Sequence, residues 1–273
     1  MPTSLQAVNP KGPLAPSSSR SYPSFMETLA HFFTPLSRCS YLPTEQWSLE
    51  YEIVAALTPA EYAQRMTDGW RRFGHSLFRP QCPACTKCRS LRVAPKLFQP
   101  NRSQTRNRRL NEGAIRLEIG QPRLARNRLQ LYDRFHAYQS KLKGWPLHSP
   151  KDPASYAESF VQNPFPIEEW CYYLKDRLVG VGFVDPMPIG LSAIYFIHDP
   201  DLRSRGLGVW NVLCVIEAAS KRNLPHAYLG YFVAGCPSLE YKANFQPNEV
   251  RWPDGIWRPF RSRVTSLCPN QGN

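Results

Sequence analysis

Long apolar runs are absent from this 273-residue sequence. Its mean hydropathy is −0.44, and its longest apolar stretches are amphipathic or only as long as a strand, which argues against a membrane-spanning helix. Met1 to Arg20 also lack the apolar core of a secretory signal peptide. We therefore expect a cytoplasmic protein that does not span a membrane.

Acidic residues are scarce relative to basic ones. The chain has 21 Asp and Glu against 34 Lys and Arg, so its formal charge is +13 and its isoelectric point lies near 9.5. Such an excess favours a polyanionic partner, and RNA, DNA or an anionic membrane surface all qualify. The length suits one or two domains with a sizeable core.

Cysteines number eight, and in a reducing cytosol they indicate metal binding rather than disulfides. Cys82, Cys85 and Cys88 are spaced C-x-x-C-x-x-C, and Cys39 offers a fourth thiolate from an earlier turn. Two sulfurs from one tight loop reach the same ion at this spacing, and a tetrahedral site needs four such donors. The pattern predicts zinc or an iron–sulfur cluster without separating them. A reduced cysteine-rich turn is the alternative.

A run of arginines follows the cysteines. Residues 101–128 contain eight arginines but only two acidic residues, Glu112 and Glu118. Guanidinium groups match phosphate oxygens, and each neutralised phosphate releases counterions. No clear aromatic interleaving occurs in the run, so base stacking is not indicated. Contact with nucleic acid is the functional interpretation, and a solvated basic face is the structural one.

The stretch Leu191 to Pro247 has the strongest structural pattern. It predicts a strand that ends at Asp199, an arginine- and glycine-containing turn, a helix, a second strand and a short helix, and a predicted hairpin precedes it. Unpaired N–H groups at such a helix start face an anion, and glycine lets its backbone approach. The predicted anion-binding residues of the turn are Arg203, Arg205, Gly206 and Gly208; an ordinary helix entry is the alternative.

Two helices are predicted in the first half of the chain. Thr58, Pro59 and Glu61 have the residue types of an N-cap, a first helical position and a capping box. Residues 129–143 have the pattern of an amphipathic helix, with His136 on its solvated side.

Two series of residues carry a more specific pattern. In the C-terminal half they are Tyr195, Asp199-Pro200, Leu207-Gly208, Leu229-Gly230-Tyr231, Tyr241-Lys242, Phe245 and Pro247. In the N-terminal half they are Cys39-Ser40-Tyr41-Leu42-Pro43, Gly69-x-Arg71-Arg72, Arg79-Pro80-x-Cys82, Cys85-x-x-Cys88 and Asn101-Arg102-Ser103-Gln104-x-Arg106. Together these residues resemble the arginyl-tRNA–protein transferases and their bacterial relatives, which transfer leucine.

The resemblance implies an α/β (α+β) fold. Its C-terminal domain is expected to be like the acyl-CoA N-acyltransferases (GNAT-like), with a smaller cysteine-containing domain before it. The predicted boundaries are a disordered leader over 1–30, the cysteine domain over 31–125, the transfer domain over 126–260 and a flexible tail over 261–273.

The implied function is to move Arg or Leu from its aminoacyl-tRNA to the N-terminal α-amine of proteins that begin with Asp or Glu, which marks them for N-degron proteolysis. The partners are then the aminoacyl-tRNA and these proteins, and neither a membrane nor DNA is expected as a partner. An aminoacyl ester is already activated, so the transfer needs no cofactor. Some members of the family bind an iron–sulfur cluster through such cysteines.

The candidate catalytic residues are Tyr241, Lys242, Asp199 and Tyr195. Lys242 supplies a cation for an acidic N-terminal side chain or contacts the tRNA end, and a surface lysine is the alternative. Asp199 is a candidate proton acceptor, or instead caps the turn that follows it. For tRNA contact, Arg102 and Arg106 are the strongest candidates in the arginine run.

Two other functions fit parts of the pattern. A CoA-dependent N-acetyltransferase would keep the fold and change the donor. A non-enzymatic, metal-binding RNA-binding module would bind tRNA without transferring anything.

Overall fold

The structure is a computed structural model that describes residues 25–143 and 147–261. Its strands, in chain order, are β1 (Glu27–Phe33), β2 (Ser37–Arg38), β3 (Gln46–Trp47), β4 (Leu49–Ala56), β5 (Arg71–Phe73), β6 (Ser76–Pro80), β7 (Cys88–Val93), β8 (Ile115–Gly120), β9 (Glu168–Leu174), β10 (Arg177–Met187), β11 (Gly190–His198), β12 (His226–Val233), β13 (Asn248–Arg251) and β14 (Trp257–Phe260). Its α-helices are α1 (Pro59–Thr67), α2 (Arg102–Asn111), α3 (Arg126–Lys143), α4 (Pro153–Tyr156), α5 (Leu207–Lys221) and α6 (Pro237–Glu240). Among these described residues, no helix is long and apolar enough to cross a membrane.

The strands form one large sheet and two smaller ones. The large sheet has eight strands in the order β14-β13-β7-β12-β11-β10-β9-β8, a four-stranded sheet has the order β1-β4-β6-β5, and β2 pairs with β3. In the large sheet β11 and β12 run parallel, and α5 is the crossover that such a pair requires. The predicted mixed α/β class is therefore confirmed.

Helices cover both faces of the large sheet. Cys171 and Tyr172 are neighbours in β9 but belong to different apolar clusters, because successive residues of a strand point to opposite faces. Tyr172 shares its cluster with Leu213 of α5. Cys171 shares the other with Tyr62 of α1 and Phe135 of α3. The core thus lies in two layers, with α5 on one side of the sheet and α1 and α3 on the other.

Side-chain caps begin the two helices that precede β8. At α1 the side chain of Thr58 accepts the N–H of Glu61 and Pro59 is the first helical residue, which confirms the predicted capping box. At α2 the Asn101 side chain accepts the N–H of Gln104, and Gln104 accepts the N–H of Asn101, each at 2.9 Å. Caps of this kind stabilise a helix by about 1 kcal/mol each.

The predicted leader, residues 1–30, is too long at its end. β1 begins at Glu27 and pairs with β4, so residues 27–30 belong to the four-stranded sheet. The rest of that prediction, through residue 24, lies outside the described residues, as do residues 262–273 of the predicted tail.

The predicted domain limit at residue 125 stays a prediction. β7 and β8 precede this limit, yet both pair within the large sheet, and β7 lies between β13 and β12. Sheet pairing therefore crosses residue 125 and places β7, which begins at Cys88, beside the C-terminal strands.

Candidate active site

β11 and β12 separate soon after they pair. Their parallel register covers Gly190–Ser192 against His226–Tyr228. Beyond this point β11 carries Tyr195, and β12, whose other edge pairs with β7, carries Gly230. Open α/β sheets bind ligands at the carboxyl ends of their strands, so this opening is the candidate site.

Tyr195 lies in β11 beyond the paired residues. Its hydroxyl oxygen is 2.9 Å from Nε2 of His136, and the His136 ring stacks on Tyr132 with centroids 4.1 Å apart. Phe196 packs on the opposite face, against the ring of Tyr172. Tyr195 and Phe196 therefore point to opposite faces of the sheet, and the catalytic role of Tyr195 stays a prediction.

His136 is half-buried, so its predicted solvated position is wrong. Burial lowers its pKa to about 4, and the neighbouring His148 adds to this effect. His148 in turn lies 2.9 Å from a carboxylate oxygen of Asp133. His136 stacks on Tyr132 within its own helix, but its contacts with Tyr195 of β11 and with His148 are non-local. The pattern of α3 contains no signal for these two contacts. At pH 7 the His136 ring is neutral.

Asp199 is fully buried and internally satisfied. Its carboxylate accepts hydrogen bonds from Arg134, from Arg177 and from the N–H of Asp201. The Asp201 bond caps the 3-10 turn Pro200–Arg205, which was the alternative to its predicted role as a proton acceptor. The two guanidinium groups and the N–H of Asp201 occupy the carboxylate lone pairs that a base would use.

The turn that ends at Gly206, called the glycine turn below, is hydrogen-bonded to α2. Gly206 has φ +58° and precedes α5. Nδ2 of Asn107 donates to the carbonyl oxygens of Arg205 at 2.9 Å and Gly206 at 3.1 Å, and Nδ2 of Asn111 donates to that of Arg205 at 2.9 Å. A Cβ at Gly206 would lie 2.6 Å from Asn107 Nδ2, so both the backbone angle and the contact require glycine. Gly208 faces open space.

The two arginines of this turn differ in their environment. The guanidinium of Arg205 donates to the carbonyl oxygen of Leu110 at the end of α2. Arg203 is exposed. Of the two predicted anion-binding arginines, Arg205 thus also holds the turn against α2, and Arg203 is the more accessible.

One face of α2 is strongly basic. Arg102, Arg106 and Arg109 are exposed, follow helical spacing, and line a cavity of about 370 Å³ with Pro100 and Thr105. The structure therefore brings the predicted residues Arg102 and Arg106 to one surface.

Not every arginine of residues 101–128 belongs to that surface. Arg128 is buried and donates to the Glu169 carboxylate at 2.8 Å. Arg116, on β8, pairs with Glu118. Both side chains have carboxylate partners within the protein.

α2 also contacts the segment that follows α6. Nε2 of Gln104 donates to the carbonyl oxygen of Asn244, the last residue of the 3-10 segment Tyr241–Asn244. Gln104 and Asn107 lie about 4.5 Å apart along the helix axis. The glycine turn and the Tyr241–Asn244 segment are therefore both hydrogen-bonded to one short arginine-rich helix.

Lys242 is partly buried and has no carboxylate partner among the described residues. Its Nζ donates to the carbonyl oxygen of Tyr231 at 3.3 Å, and a Cβ built on Gly230 would lie 3.3 Å from it. Burial and the nearby charge of Arg71 lower the pKa of Lys242 to about 7, while Cys236 acts in the opposite direction. The alternative of an exposed surface lysine is therefore wrong.

Tyr241 packs into the core, which raises its pKa through burial. Its ring contacts Phe245 with centroids 6.3 Å apart. A catalytic role for Tyr241 stays a prediction. Beside α6 there is a cavity of about 400 Å³ whose lining includes Lys87, Arg89 and Phe232.

Family models match both halves of this molecule. The model described as arginine-tRNA-protein transferase, N terminus, matches residues 37–106, and the C-terminus model matches residues 127–251. The chain belongs to the arginine-tRNA-protein transferase family. The two matches include α2 as far as Arg106, the glycine turn and the Tyr241–Asn244 segment.

Relatives of similar length share this family's sequence. Proteins named aspartate/glutamate leucyltransferase are 34% identical in Campylobacter jejuni subsp. jejuni (strain 81-176; 80% of this chain, 91% of that protein), 32% in Helicobacter hepaticus (81% and 92%) and 33% in Marinobacter nauticus (86% and 98%). Among solved structures, the C-terminal domain of a putative lysylphosphatidylglycerol synthetase from Agrobacterium fabrum gives a TM-score of 0.39 at 9% identity, covering 65% of this chain and 53% of that one. That value is too low to support any inference.

The four predicted metal ligands lie near each other in this family member. Cys39 is buried, the other three are partly buried, and all four are free thiols. Burial raises the pKa of Cys88 to about 12, with smaller contributions from Cys39, Cys82 and Cys85. Sulfur donors of this number suit zinc or an iron–sulfur cluster. Within residues 25–143 and 147–261, however, no three Cys, His, Asp or Glu side chains have ligand geometry, so the metal stays a prediction.

Proposed function

We propose that this protein transfers an amino acid from aminoacyl-tRNA to the N-terminal amine of proteins that begin with Asp or Glu. As a member of the arginine-tRNA-protein transferase family, the chain is an aminoacyltransferase. The observation that carries the proposal is that α2 holds the glycine turn through Asn107 and the Tyr241–Asn244 segment, at Asn244, through Gln104.

The chemistry requires alignment and one proton transfer. The amine nitrogen attacks the carbonyl carbon of the aminoacyl ester, the bond from that carbon to the ribose oxygen breaks, and one amine proton passes to that oxygen. The products are a new amide and free tRNA. Since an N-terminal amine has a pKa near 8, it must first lose its ammonium proton to solvent or to a neighbouring base. Holding amine and ester together can supply much of the rate enhancement.

Arg102, Arg106 and Arg109 bind the tRNA backbone in this proposal. They are exposed on one helix face, and none of the three has a carboxylate partner in the described part of the chain. Arg203 and the N–H groups after Gly206 then take the terminal phosphate, because a helix start with a glycine backbone accepts anions. The formal charge of +13 favours approach of the polyanion.

The finer fold assignment is N-acyltransferase-like. Hairpin β9–β10, strand β11, glycine turn, helix α5 and strand β12 follow one another in the predicted order, and β11 and β12 separate after Ser192 and Tyr228. A CoA-dependent acetyltransferase would use the same order. The basic face of α2 favours tRNA over CoA as the donor.

Leucine is the donor amino acid we propose, because the relatives at 32–34% identity are named leucyltransferases. The transfer chemistry uses no cofactor. Metal on the cysteine cluster would be structural, held by Cys39, Cys82, Cys85 and Cys88. The cytoplasm is the proposed location, supported by the free state of the seven described cysteines.

The test is to incubate the purified protein with an Asp-initiated peptide and labelled Leu-tRNA or Arg-tRNA. Transfer of labelled leucine to the peptide is expected, and transfer of arginine alone would correct the donor. Acetyl transfer from acetyl-CoA in place of either label would support the acetyltransferase. Saturable tRNA binding with no transfer at all would support the RNA-binding module.

A further inference from the structure

Two neighbouring arginines in β5 have opposite environments. Arg71 and Arg72 are 5% and 2% exposed. Arg72 forms two hydrogen bonds with the Asp185 carboxylate, Nη2 to Oδ1 at 2.5 Å and Nε to Oδ2 at 2.9 Å. Arg71 has no carboxylate partner among the described residues.

Uncharged groups make the contacts of Arg71. Its Nη1 donates to the carbonyl oxygen of Trp70 at 2.7 Å and lies 3.7 Å from the sulfur of Met66. Its Nη2 donates to the carbonyl oxygen of Gly230 at 3.3 Å, and its buried Nε has no partner. A charge in this position is destabilising unless an anion joins it, since buried charges are normally paired.

Lys242 is a second unpaired cation at the same backbone position. The carbonyl oxygen of Gly230 accepts a hydrogen bond from Arg71, and the Cα of the same glycine lies beside Nζ of Lys242. Gly230 has φ +81° and follows a register shift between β12 and β7, features that often mark close approach of a ligand. Two cations, Arg71 and Lys242, therefore lie beside Gly230, which has no side chain.

An unpaired hydroxyl completes the polar surroundings. Oη of Tyr228 is buried without a hydrogen-bond partner, and Tyr228 lies close enough to Arg71 to act on it electrostatically. Tyr231 places its ring 5.1 Å from the Arg71 guanidinium. The surroundings of Gly230 thus contain two cations, an N–H and a hydroxyl without a partner, and largely aromatic side chains, with no carboxylate pairing either cation among the described residues.

We propose that Arg71 and Lys242 bind the side-chain carboxylate of the acceptor's N-terminal Asp or Glu. This inference rests on the proposed function, which requires a means of selecting acidic acceptors. A carboxylate on a short stem suits a buried arginine because the planar guanidinium matches it with two parallel hydrogen bonds. A phosphodiester brings a sugar on each side, which suits the open face of α2 instead.

The test compares peptides that differ only in an N-terminal Asp or Asn. With Leu-tRNA as donor, the wild type should prefer Asp by about 30-fold or more, because Asn leaves both cations unpaired. In Arg71→Met the preference should fall to a few-fold, mainly through a higher KM for the Asp peptide. Its melting temperature should be unchanged or raised, since an unpaired buried charge has been removed. Binding of Leu-tRNA should be unchanged.

Arg72→Met is the matched control. It leaves Asp185 buried and unpaired, so it should lower the melting temperature while its folded fraction keeps the Asp preference. Lys242→Met is the second variant. It should also lower the Asp preference, and it provides the test if Arg71→Met does not fold. A retained Asp preference in the folded variants would overturn the inference, as would weaker tRNA binding with an unchanged preference, since the cations would then serve phosphate.

Direct binding separates this inference from the proposed function. Labelled Asp and Asn peptides are titrated into the protein without tRNA, with fluorescence anisotropy as the readout. If the wild type transfers nothing but binds the Asp peptide more tightly through Arg71, the proposed function fails and the carboxylate site stands. Equal binding of both peptides would overturn the site.

Discussion

A buried charged side chain lies at the end of β11, and another, from β5, lies beside Gly230 of β12. Only the first of these charges has a partner of opposite charge. At the end of β11, Asp199 is fully buried and accepts from two arginines and a backbone N–H. Near the end of β12, Arg71 is 5% exposed and contacts two carbonyl oxygens and a sulfur, with no carboxylate in the described part of the chain.

The difference separates stability from binding. A buried charge with good partners supports the fold, whereas one without partners is retained at a loss of stability and indicates a ligand. By this criterion Asp199 belongs to the structure of the turn. Lys242, beside Arg71, belongs to the site.

The largest effect is expected from Lys242→Met. Loss of one of two cations should reduce kcat/KM for an Asp-initiated peptide by about 30-fold or more, with no loss of thermal stability. Initial rates of leucine transfer and a melting curve check both parts. The matched control is Lys221→Met, which removes an exposed lysine paired with Glu217 and should leave the rate unchanged. Equal losses in both variants would contradict the role of Lys242.

Asp199→Ala should affect stability instead. It removes one carboxylate partner from Arg177 and one from Arg134, which keeps Asp201. Both arginines are about half exposed and can be solvated, so we expect a loss of roughly 2 kcal/mol, including the lost cap. Urea unfolding measures this loss, and transfer per folded molecule should stay within about threefold of the wild type. A stable variant with no transfer activity would restore Asp199 as a proton acceptor.

Arg106→Ala should weaken tRNA binding by a smaller factor. Losing one phosphate contact should reduce the slope of log K against log salt by about 0.9 or less, and affinity by a few-fold. Arg116→Ala is the control, because Arg116 belongs to the same arginine-rich segment but pairs with Glu118 on β8. Filter binding at several salt concentrations distinguishes them, and identical slopes for both variants would remove Arg106 from the interface.

The last prediction concerns the pH dependence of stability. Folded Lys242 has a pKa of about 7 and an unfolded lysine one near 10.4, so the unfolded chain binds more protons between these values. The penalty from Lys242 is complete below pH 7 and is relieved as the pH rises. Wild-type stability should therefore increase from pH 7 to pH 10 relative to Lys242→Met. Parallel urea midpoints over that range would show that Lys242 is not perturbed.

Local patterns predicted the elements well. The Thr58 cap and the strand and helix around the glycine turn are encoded in neighbouring residues, and the structure confirms them. Asn101 and Gln104 entered only through the family resemblance, although their spacing is also that of a capping box.

Non-local contacts were not predictable in this way. Arg71 and Arg72 are adjacent in sequence, and only the fold places Asp185 beside one and Gly230 beside the other. His136 is buried by contacts from β11 and from the segment after residue 147. The insertion of β7 beside β12, which joins the two halves of the chain, is likewise set by sheet topology.

The most direct measurement is the ratio of initial leucine-transfer rates from Leu-tRNA to two peptides that begin with Asp or Asn and are otherwise identical. We expect a ratio of about 30 or more for the wild type, and of a few for Arg71→Met and Lys242→Met, with tRNA binding unchanged in both. A wild-type ratio near one, or a ratio that survives in both variants, would contradict it.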